Sequence, residues 1–242
     1  MTINNHPEIK PLNTIGILGG MSSEATSEYY KLINQKVKEA QGGYNIAEMV
    51  ICSVNFANIE RFVRAGSWDD AGAYLAEKAK YLEKAGASSI FLATNTMHKV
   101  RDDIKAVISI PFIDIFEVVC QEIKKQNKTK VGILGTYPVM TDSFFNQAYH
   151  EYGVELVSPN EADKKEIDRI IFEELTQNIF LDSSKVFYAK VMQDLVSKGA
   201  EGVILGCTEI KLLINQNDVI DIPLFDTTDL HCEMASKMCM AE

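Results

Sequence analysis

The chain has 242 residues, of which 46% are hydrophobic and 24% are charged. This length and balance allow a large buried core, in one large domain or two small ones, and exclude a disordered acidic chain. The net charge of −10 speaks against a surface for nucleic acid or anionic membranes, although a local cationic pocket stays compatible with it.

Targeting and cysteine patterns point to a cytoplasmic protein. No apolar run reaches the roughly 18 residues that a membrane span needs, and residues 1–13 carry no apolar stretch of signal-peptide type. The five cysteines are odd in number and scattered, and the four histidines lie far apart. We therefore expect no disulfide framework and no structural metal site.

Short apolar runs alternate with longer amphipathic runs along the chain. Strands are predicted at residues 14–18, 49–54, 89–93, around Ile113, 131–134 and 203–205. Helices are predicted from Ser22 or Ser23 to about residue 40 and at residues 68–85, 97–106, 118–125, 161–178, 185–197, 210–215 and 228–238. This alternation predicts an α/β fold with mainly parallel sheets flanked by helices.

Three apolar segments recur in the same order, 112 to 116 residues later in the chain. The recurring pairs are Ile15–Gly19 with Val131–Gly135, Ile90–Thr94 with Val203–Cys207, and Ile110–Asp114 with Ile222–Asp226. The repeat predicts two pseudo-symmetric lobes, one of residues 1–110 plus 221–242 and one of residues 111–220. Since open parallel sheets bind ligands beyond the carboxyl ends of their strands, Thr94 and Cys207 are expected on opposite walls of one cleft.

Cys207 is the strongest candidate for a reactive group. It closes an apolar strand and is followed by Thr208, Glu209 and a predicted short helix. A thiol at a helix N-terminus has a lowered pKa, which favours the thiolate, although a lone cysteine is more often a small buried hydrophobe. The other four cysteines are interpreted as structural.

Polar or glycine-rich segments follow other predicted strands. The segment Thr94–His98 offers hydroxyl and amide groups that suit a carboxylate or an amino group, or form an ordinary helix cap. Gly19–Ser22 lets the backbone approach a ligand, and Gly135–Thr136 is its counterpart in the second lobe. Neither segment has the spacing of a nucleotide-binding loop. On pattern alone, Lys164 would be a solvated lysine.

Taken together, five motifs resemble the signatures of the aspartate/glutamate racemases that use no pyridoxal phosphate. The motifs are Gly19–Ser22, Ser53–Phe56, Thr94–His98, Ile171–Leu175 and Gly206–Ile210. The resemblance spans nearly the whole chain and implies two pseudo-symmetric lobes with the site between them. It also implies a homodimer and no cofactor.

The resemblance implies a two-base mechanism, in which one residue removes the α-proton and another returns a proton on the opposite face. Most members use two cysteines, whereas this chain has Thr94 at the first position. A branch with threonine there acts preferentially on L-aspartate and L-glutamate. By this resemblance, Cys207 takes the proton from the L-enantiomer, and Thr94 or a water relayed through it reprotonates.

The implied partner is a small acidic amino acid. Lys164 matches a basic position that pairs with the distal carboxylate, while Ser23 stands where the close branch has tryptophan, which alters the shape of the pocket. The other residues implied in substrate binding are Met21, Asn55, Asn95, Thr96, Thr136, Thr208 and Glu209.

Two alternatives stay open at the level of sequence. Related folds include arylmalonate decarboxylases and maleate isomerases, in which a single cysteine meets one face of the substrate. A binding or regulatory protein could also keep the cleft after losing half of the catalytic pair.

Overall fold

The computed structural model describes residues 11–219 and 221–241 and contains two four-stranded sheets. The strands are β1 (Ile15–Gly19), β2 (Met49–Ser53), β3 (Ser89–Leu92), β4 (Phe112–Ile113), β5 (Lys130–Leu134), β6 (Glu155–Val157), β7 (Val203–Leu205) and β8 (Leu224–Asp226). Their order is β2-β1-β3-β4 in one sheet and β6-β5-β7-β8 in the other, and all pairs are parallel. The matching orders confirm an α/β fold with two pseudo-symmetric lobes.

Helices cover both faces of each sheet. They are α1 (Ser23–Gln41), α2 (Phe56–Ala65), α3 (Trp68–Lys84), α4 (Arg101–Lys105), α5 (Ile115–Lys125), α6 (Tyr137–Thr141), α7 (Ser143–Glu151), α8 (Glu161–Glu173), α9 (Asp182–Ser197), α10 (Ile210–Leu213) and α11 (Thr227–Met240). In the part of the chain that the structure describes, no helix has the length and apolar character to cross a membrane.

The central strands are apolar because both of their faces are buried. In the first sheet, Ile17 faces a core formed with α1 and α11, whereas Leu18 faces a core formed with α3. In the second sheet, Ile133 faces α5 and α7, and Leu134 faces α8 and α9. Side chains alternate between faces along a strand, so neighbouring residues serve different cores.

Each lobe receives a helix from the other. β4 pairs with β3 in the first sheet, yet α5, which follows it, packs against the second sheet. β8 pairs with β7 in the second sheet, yet α11, which follows it, packs against α1 in the first lobe. The sheets therefore divide the chain differently from the predicted boundaries at residues 110 and 220. The chain crosses from one lobe to the other between β4 and α5, and crosses back between β8 and α11.

Most predicted elements agree with the structure, and the differences have local causes. The helices α2, α6 and α7 and the strands β6 and β8 were not predicted, since each has ten residues or fewer. The helix expected from residue 161 to 178 ends at Glu173 and is followed by a 3₁₀ turn. The next residue, Glu174, leaves the helix and is buried between Arg169 and Ser184, which donate to its carboxylate at 2.8 and 2.5 Å.

Two buried histidines lie where the lobes meet, with ring centroids 5.9 Å apart. His98 donates from Nδ1 to the carbonyl of Thr94 at 2.7 Å and accepts at Nε2 from the amide of Ile115. His231 donates from Nε2 to the carbonyl of Ile113 at 3.0 Å and accepts at Nδ1 from the hydroxyl of Tyr29. Both rings are therefore neutral, and each uses one nitrogen as donor and the other as acceptor.

These rings predict a loss of stability in mild acid. Burial lowers the pKa of His98 to about 4 and that of His231 to about 3, from 6.5. The unfolded chain thus binds protons below pH 6.5 that the folded protein does not, and the free energy of unfolding falls as the pH falls. At pH 5.5 the expected loss is about 1 kcal/mol for each histidine.

Urea unfolding at pH 7.5 and pH 5.5 measures this loss. The variant His231→Gln should lose clearly less stability than the wild type between these two values, because one of the two depressed groups is gone. His150→Gln, at an exposed position, is the matched control and should behave like the wild type. An unchanged pH dependence in His231→Gln would contradict the prediction.

Candidate active site

The predicted site residues gather at the carboxyl ends of the strands. Thr94 to Thr96 follow β3, and Cys207 to Glu209 follow β7, the central strand that pairs with β5. Met21 lies in the loop after β1, Asn55 in the loop after β2 and Thr136 in the loop after β5. Lys164 lies in the first turn of α8.

A single hydroxyl connects the two walls. Asn95 donates from Nδ2 to the hydroxyl of Thr227 at 3.0 Å, and that hydroxyl donates to the carbonyl of Leu205 at 3.1 Å. Thr227 is fully buried and is the first residue of α11. The ends of β3 and β7 therefore meet through one side chain. Thr227 was not predicted, since its only signal in the sequence is a place just after a helix-capping aspartate.

Cys207 lies in a hydrogen-bonded cluster with its neighbours in the motif. Its half-buried thiol donates to Oε2 of Glu209 at 3.0 Å, and the hydroxyl of Thr208 donates to the same oxygen at 2.6 Å. The resemblance places Glu209 among the substrate-binding residues. In this structure its carboxylate accepts the hydrogen bond of the thiol.

The pKa of Cys207 differs from the expectation. Burial, followed by the charge of Glu209 and its hydrogen bond, raises the pKa of the thiol well above its ordinary value. The lowered pKa expected from a helix N-terminus is wrong, because α10 begins three residues later and has only four residues. The resting side chain is a neutral thiol that is hydrogen-bonded to the carboxylate of Glu209.

Thr94 has a fixed backbone and an uncommitted hydroxyl. Its amide donates to the carbonyl of Leu92 at 2.9 Å, and its carbonyl accepts from His98. Among the described residues, the hydroxyl of Thr94 has no hydrogen-bond partner. By the internal repeat, Thr94 corresponds to Cys207 and Thr96 corresponds to Glu209. The first lobe thus lacks both the thiol and the carboxylate of the second.

The glycine loop is shaped by close contacts within the protein. Gly20 has a φ of +88°, and a Cβ there would lie 2.3 Å from the carbonyl oxygen of Val54. Only glycine permits this approach between the ends of β1 and β2. Met21 is 8% exposed and packs mainly into the core formed with α3. Asn55 caps α2, because its Oδ1 accepts from the amide of Ala57.

The second lobe adds two residues that the sequence did not indicate. Asp168 lies one helical turn after Lys164, accepts from the amide of Tyr137 at 2.6 Å and contributes to the raised pKa of Cys207. The hydroxyl of Tyr188 is buried, and within the described residues it lacks a hydrogen-bond partner. Its pKa is raised by burial and then by Cys207, and Cys207 packs against the core that contains Tyr188.

Lys164 is half-buried and differs from its neighbour Lys165. Lys165 is exposed and pairs with Glu161 at 3.7 Å, whereas Lys164 forms no ion pair with any described residue. A half-buried cation without a carboxylate partner can bind an anionic group.

Comparisons with known proteins agree with this architecture. A family model described as Asp/Glu/hydantoin racemase matches residues 18–235. A candidate Asp/Glu racemase from Yersinia pestis has a TM-score of 0.90 and 39% identity, over 95% of this chain and 100% of that chain. PH1733, an aspartate racemase homologue from Pyrococcus horikoshii OT3, has a TM-score of 0.85 and 36% identity, over 94% and 99%.

A curated relative gives a similar picture. The broad specificity amino-acid racemase RacX of Bacillus subtilis strain 168 is 25% identical over 219 residues, which cover 88% of this chain and 92% of that protein. The family match spans both lobes and includes the loop of Met21, the Thr94 motif and the Cys207 motif. The chain belongs to the Asp/Glu/hydantoin racemase family.

Proposed function

We propose that the protein is a cofactor-independent racemase that interconverts the enantiomers of aspartate, glutamate or both. Membership of the family supports the coarser part, an isomerase acting on an amino acid. The assignment of the base rests on one observation, the pairing of Cys207 with Glu209 at 3.0 Å against a Thr94 hydroxyl without such a partner. A cytoplasmic homodimer is part of the same proposal.

The chemistry needs a base on one face of the α-carbon and an acid on the other. From the L-enantiomer, Glu209 accepts the thiol proton of Cys207, and the thiolate then removes the α-proton. The electron pair left on the α-carbon is shared with the α-carboxylate. The hydroxyl of Thr94, or a water relayed through it, delivers a proton to the opposite face and regains one from solvent, while Glu209 releases to solvent the proton that it accepted.

The raised pKa of Cys207 is compatible with this role. The free enzyme holds a neutral thiol, and in this proposal the thiolate forms once substrate is bound. A bound α-ammonium group beside the cluster would favour the thiolate, because an opposite charge nearby stabilises the ionised form. Proton transfer to Glu209 would then coincide with the presence of substrate.

Substrate recognition follows from the remaining polar groups. Lys164 pairs with the distal carboxylate, which selects an acidic side chain. The α-amino and α-carboxylate groups lie among the strand-end residues Met21, Asn55, Asn95, Thr96, Thr136 and Thr208. Several of these residues already serve as caps or bridges, so their backbone groups contribute as well as their side chains.

Replacing Cys207 tests the base directly. The variant Cys207→Ser should lose α-deuterium incorporation from D₂O into L-aspartate and L-glutamate by about 100-fold or more, because a hydroxyl is a far weaker base. Proton NMR of the α-position measures the exchange. Cys52→Ser is the matched control, since Cys52 is half-buried in β2 and should leave the rate unchanged. Full activity of Cys207→Ser would exclude the thiol as the base.

Replacing Thr94 tests the asymmetry. The wild type should exchange the α-proton of the L-enantiomer faster than that of the D-enantiomer, because only Cys207 has a thiol and a carboxylate partner. Thr94→Cys supplies a thiol on the other face and should raise exchange from the D-enantiomer by about tenfold or more. Separate D₂O assays of the two enantiomers measure the ratio. An equal ratio in wild type and variant would contradict the asymmetry.

Replacing Lys164 tests the substrate class. Lys164→Met should raise the KM for aspartate or glutamate by about tenfold or more, because a charge-assisted bond is lost, with a smaller effect on kcat. Lys165→Met is the control, since Lys165 is exposed and one residue away, and its KM should match the wild type. Equal KM values for both variants would argue against Lys164 as the distal carboxylate ligand.

The single thiol–carboxylate pair also favours a second candidate, a one-cysteine decarboxylase or isomerase of malonate or maleate type. Decarboxylation of an arylmalonate or isomerisation of maleate, with no α-proton exchange in any acidic amino acid, would favour this candidate over the racemase.

A further inference from the structure

Lys164 and Asp168 carry opposite charges and lie one helical turn apart on α8. Residues four apart on a helix are neighbours, with Cβ atoms about 6 Å apart, and a lysine and an aspartate at this spacing can form an ion pair. These two do not, and within the described part of the chain neither has another ion-pair partner. Both side chains are half-buried, so the second lobe holds two unpaired opposite charges that are partly withdrawn from water.

A hydrogen bond fixes the carboxylate of Asp168. Its Oδ1 accepts from the amide of Tyr137 at 2.6 Å, whereas its Oδ2 has no hydrogen-bond partner among the described residues. Tyr137 is the first residue of α6 and directly follows Thr136. One oxygen therefore holds the carboxylate against the loop that carries a residue of the candidate site, and the other is available to a ligand.

The same loop lies beside Cys207. β5 and β7 are paired, and the amide of Gly206 donates to the carbonyl of Leu134 at 2.7 Å. The loop that holds Asp168 and the motif of Cys207 therefore leave neighbouring strands side by side. Burial is the main cause of the raised pKa of the thiol, followed by the charge of Glu209, and the charge of Asp168 acts in the same direction. Asp168 thus belongs to the same wall of the candidate site as the thiol.

We propose that Asp168 binds the α-ammonium group of the substrate, while Lys164 binds its distal carboxylate. The inference rests on the proposed function and narrows it, because a carboxylate at this place selects α-amino acids. In aspartate and glutamate, two or three carbon atoms separate the ammonium group from the distal carboxylate, which suits two side chains that lie one helical turn apart. Each charged group of the ligand then meets an opposite charge on α8.

The charge of Asp168 disfavours ligands that have carboxylates but no amine. Malonates and maleate would bring an anionic group toward Asp168 with no cation to pair with it, and like charges in a partly buried site repel one another. A malonate decarboxylase or a maleate isomerase therefore fits this wall less well than an amino-acid racemase.

The same contact links substrate binding to the thiol. Burial, and then the charges of Glu209 and Asp168, oppose the ionisation of Cys207 in the free protein. An ammonium group that pairs with Asp168 offsets one of these charges, so the thiolate forms more easily when an amino acid is bound.

Calorimetric titration with L-aspartate and L-malate tests this contact and does not depend on turnover. The two ligands have the same carboxylates, but malate carries a hydroxyl in place of the ammonium group; L-glutamate and L-2-hydroxyglutarate form the equivalent pair. The wild type should bind the amino acid more tightly, and Asp168→Asn should reduce this preference by about tenfold or more, because a charge-assisted bond is lost. Asparagine can still accept from the amide of Tyr137, so a purely structural role predicts an unchanged preference.

Asp70→Asn is the matched control, since it removes the same charge from an exposed position on α3 and should keep the wild-type preference. An equal preference in Asp168→Asn and the wild type, or a wild type that binds the hydroxy acids as tightly as the amino acids, would overturn the inference. A preference that is lost in Asp168→Asn, together with a wild type that exchanges no α-proton, would support the contact and reject the racemase.

Discussion

The exchange of helices between the two sheets is the constraint on which the rest of the structure depends. α5 begins directly after β4 but buries Ile115 and Phe116 against the second sheet, and α11 makes the reverse crossing after β8. Separating the lobes would expose these apolar faces and break the bond from the amide of Ile115, in α5, to Nε2 of His98. The lobes are therefore held in one relative position by burial as well as by hydrogen bonds.

That position creates the site. Because α11 begins where the lobes meet, the hydroxyl of Thr227 reaches both Asn95 and Leu205 and joins the ends of two strands that belong to different sheets. His98 orients the carbonyl of Thr94 in the same region. The two walls carry unequal chemistry, since Cys207 has a carboxylate partner and the corresponding hydroxyl has none.

Ion pairs also connect the lobes, and two of them lie beside the motifs. Lys99, five residues after Thr94, pairs with Asp142 of the second lobe. Lys211, four residues after Cys207, pairs with Glu28 of α1 at 2.8 Å. These pairs are partly buried, so solvent screens them less than surface pairs. In each lobe, a lysine in the turn after the motif therefore forms an ion pair with the opposite lobe.

The sequence by itself determined the alternation of strands and helices, the repeat and the chemical identity of Thr94 and Cys207, because these depend on local pattern and spacing. Only the tertiary structure decided the crossing of α5 and α11, the bridging hydroxyl of Thr227 and the raised pKa of the thiol. These features arise from contacts between residues far apart in the chain and from burial, which a local pattern does not record.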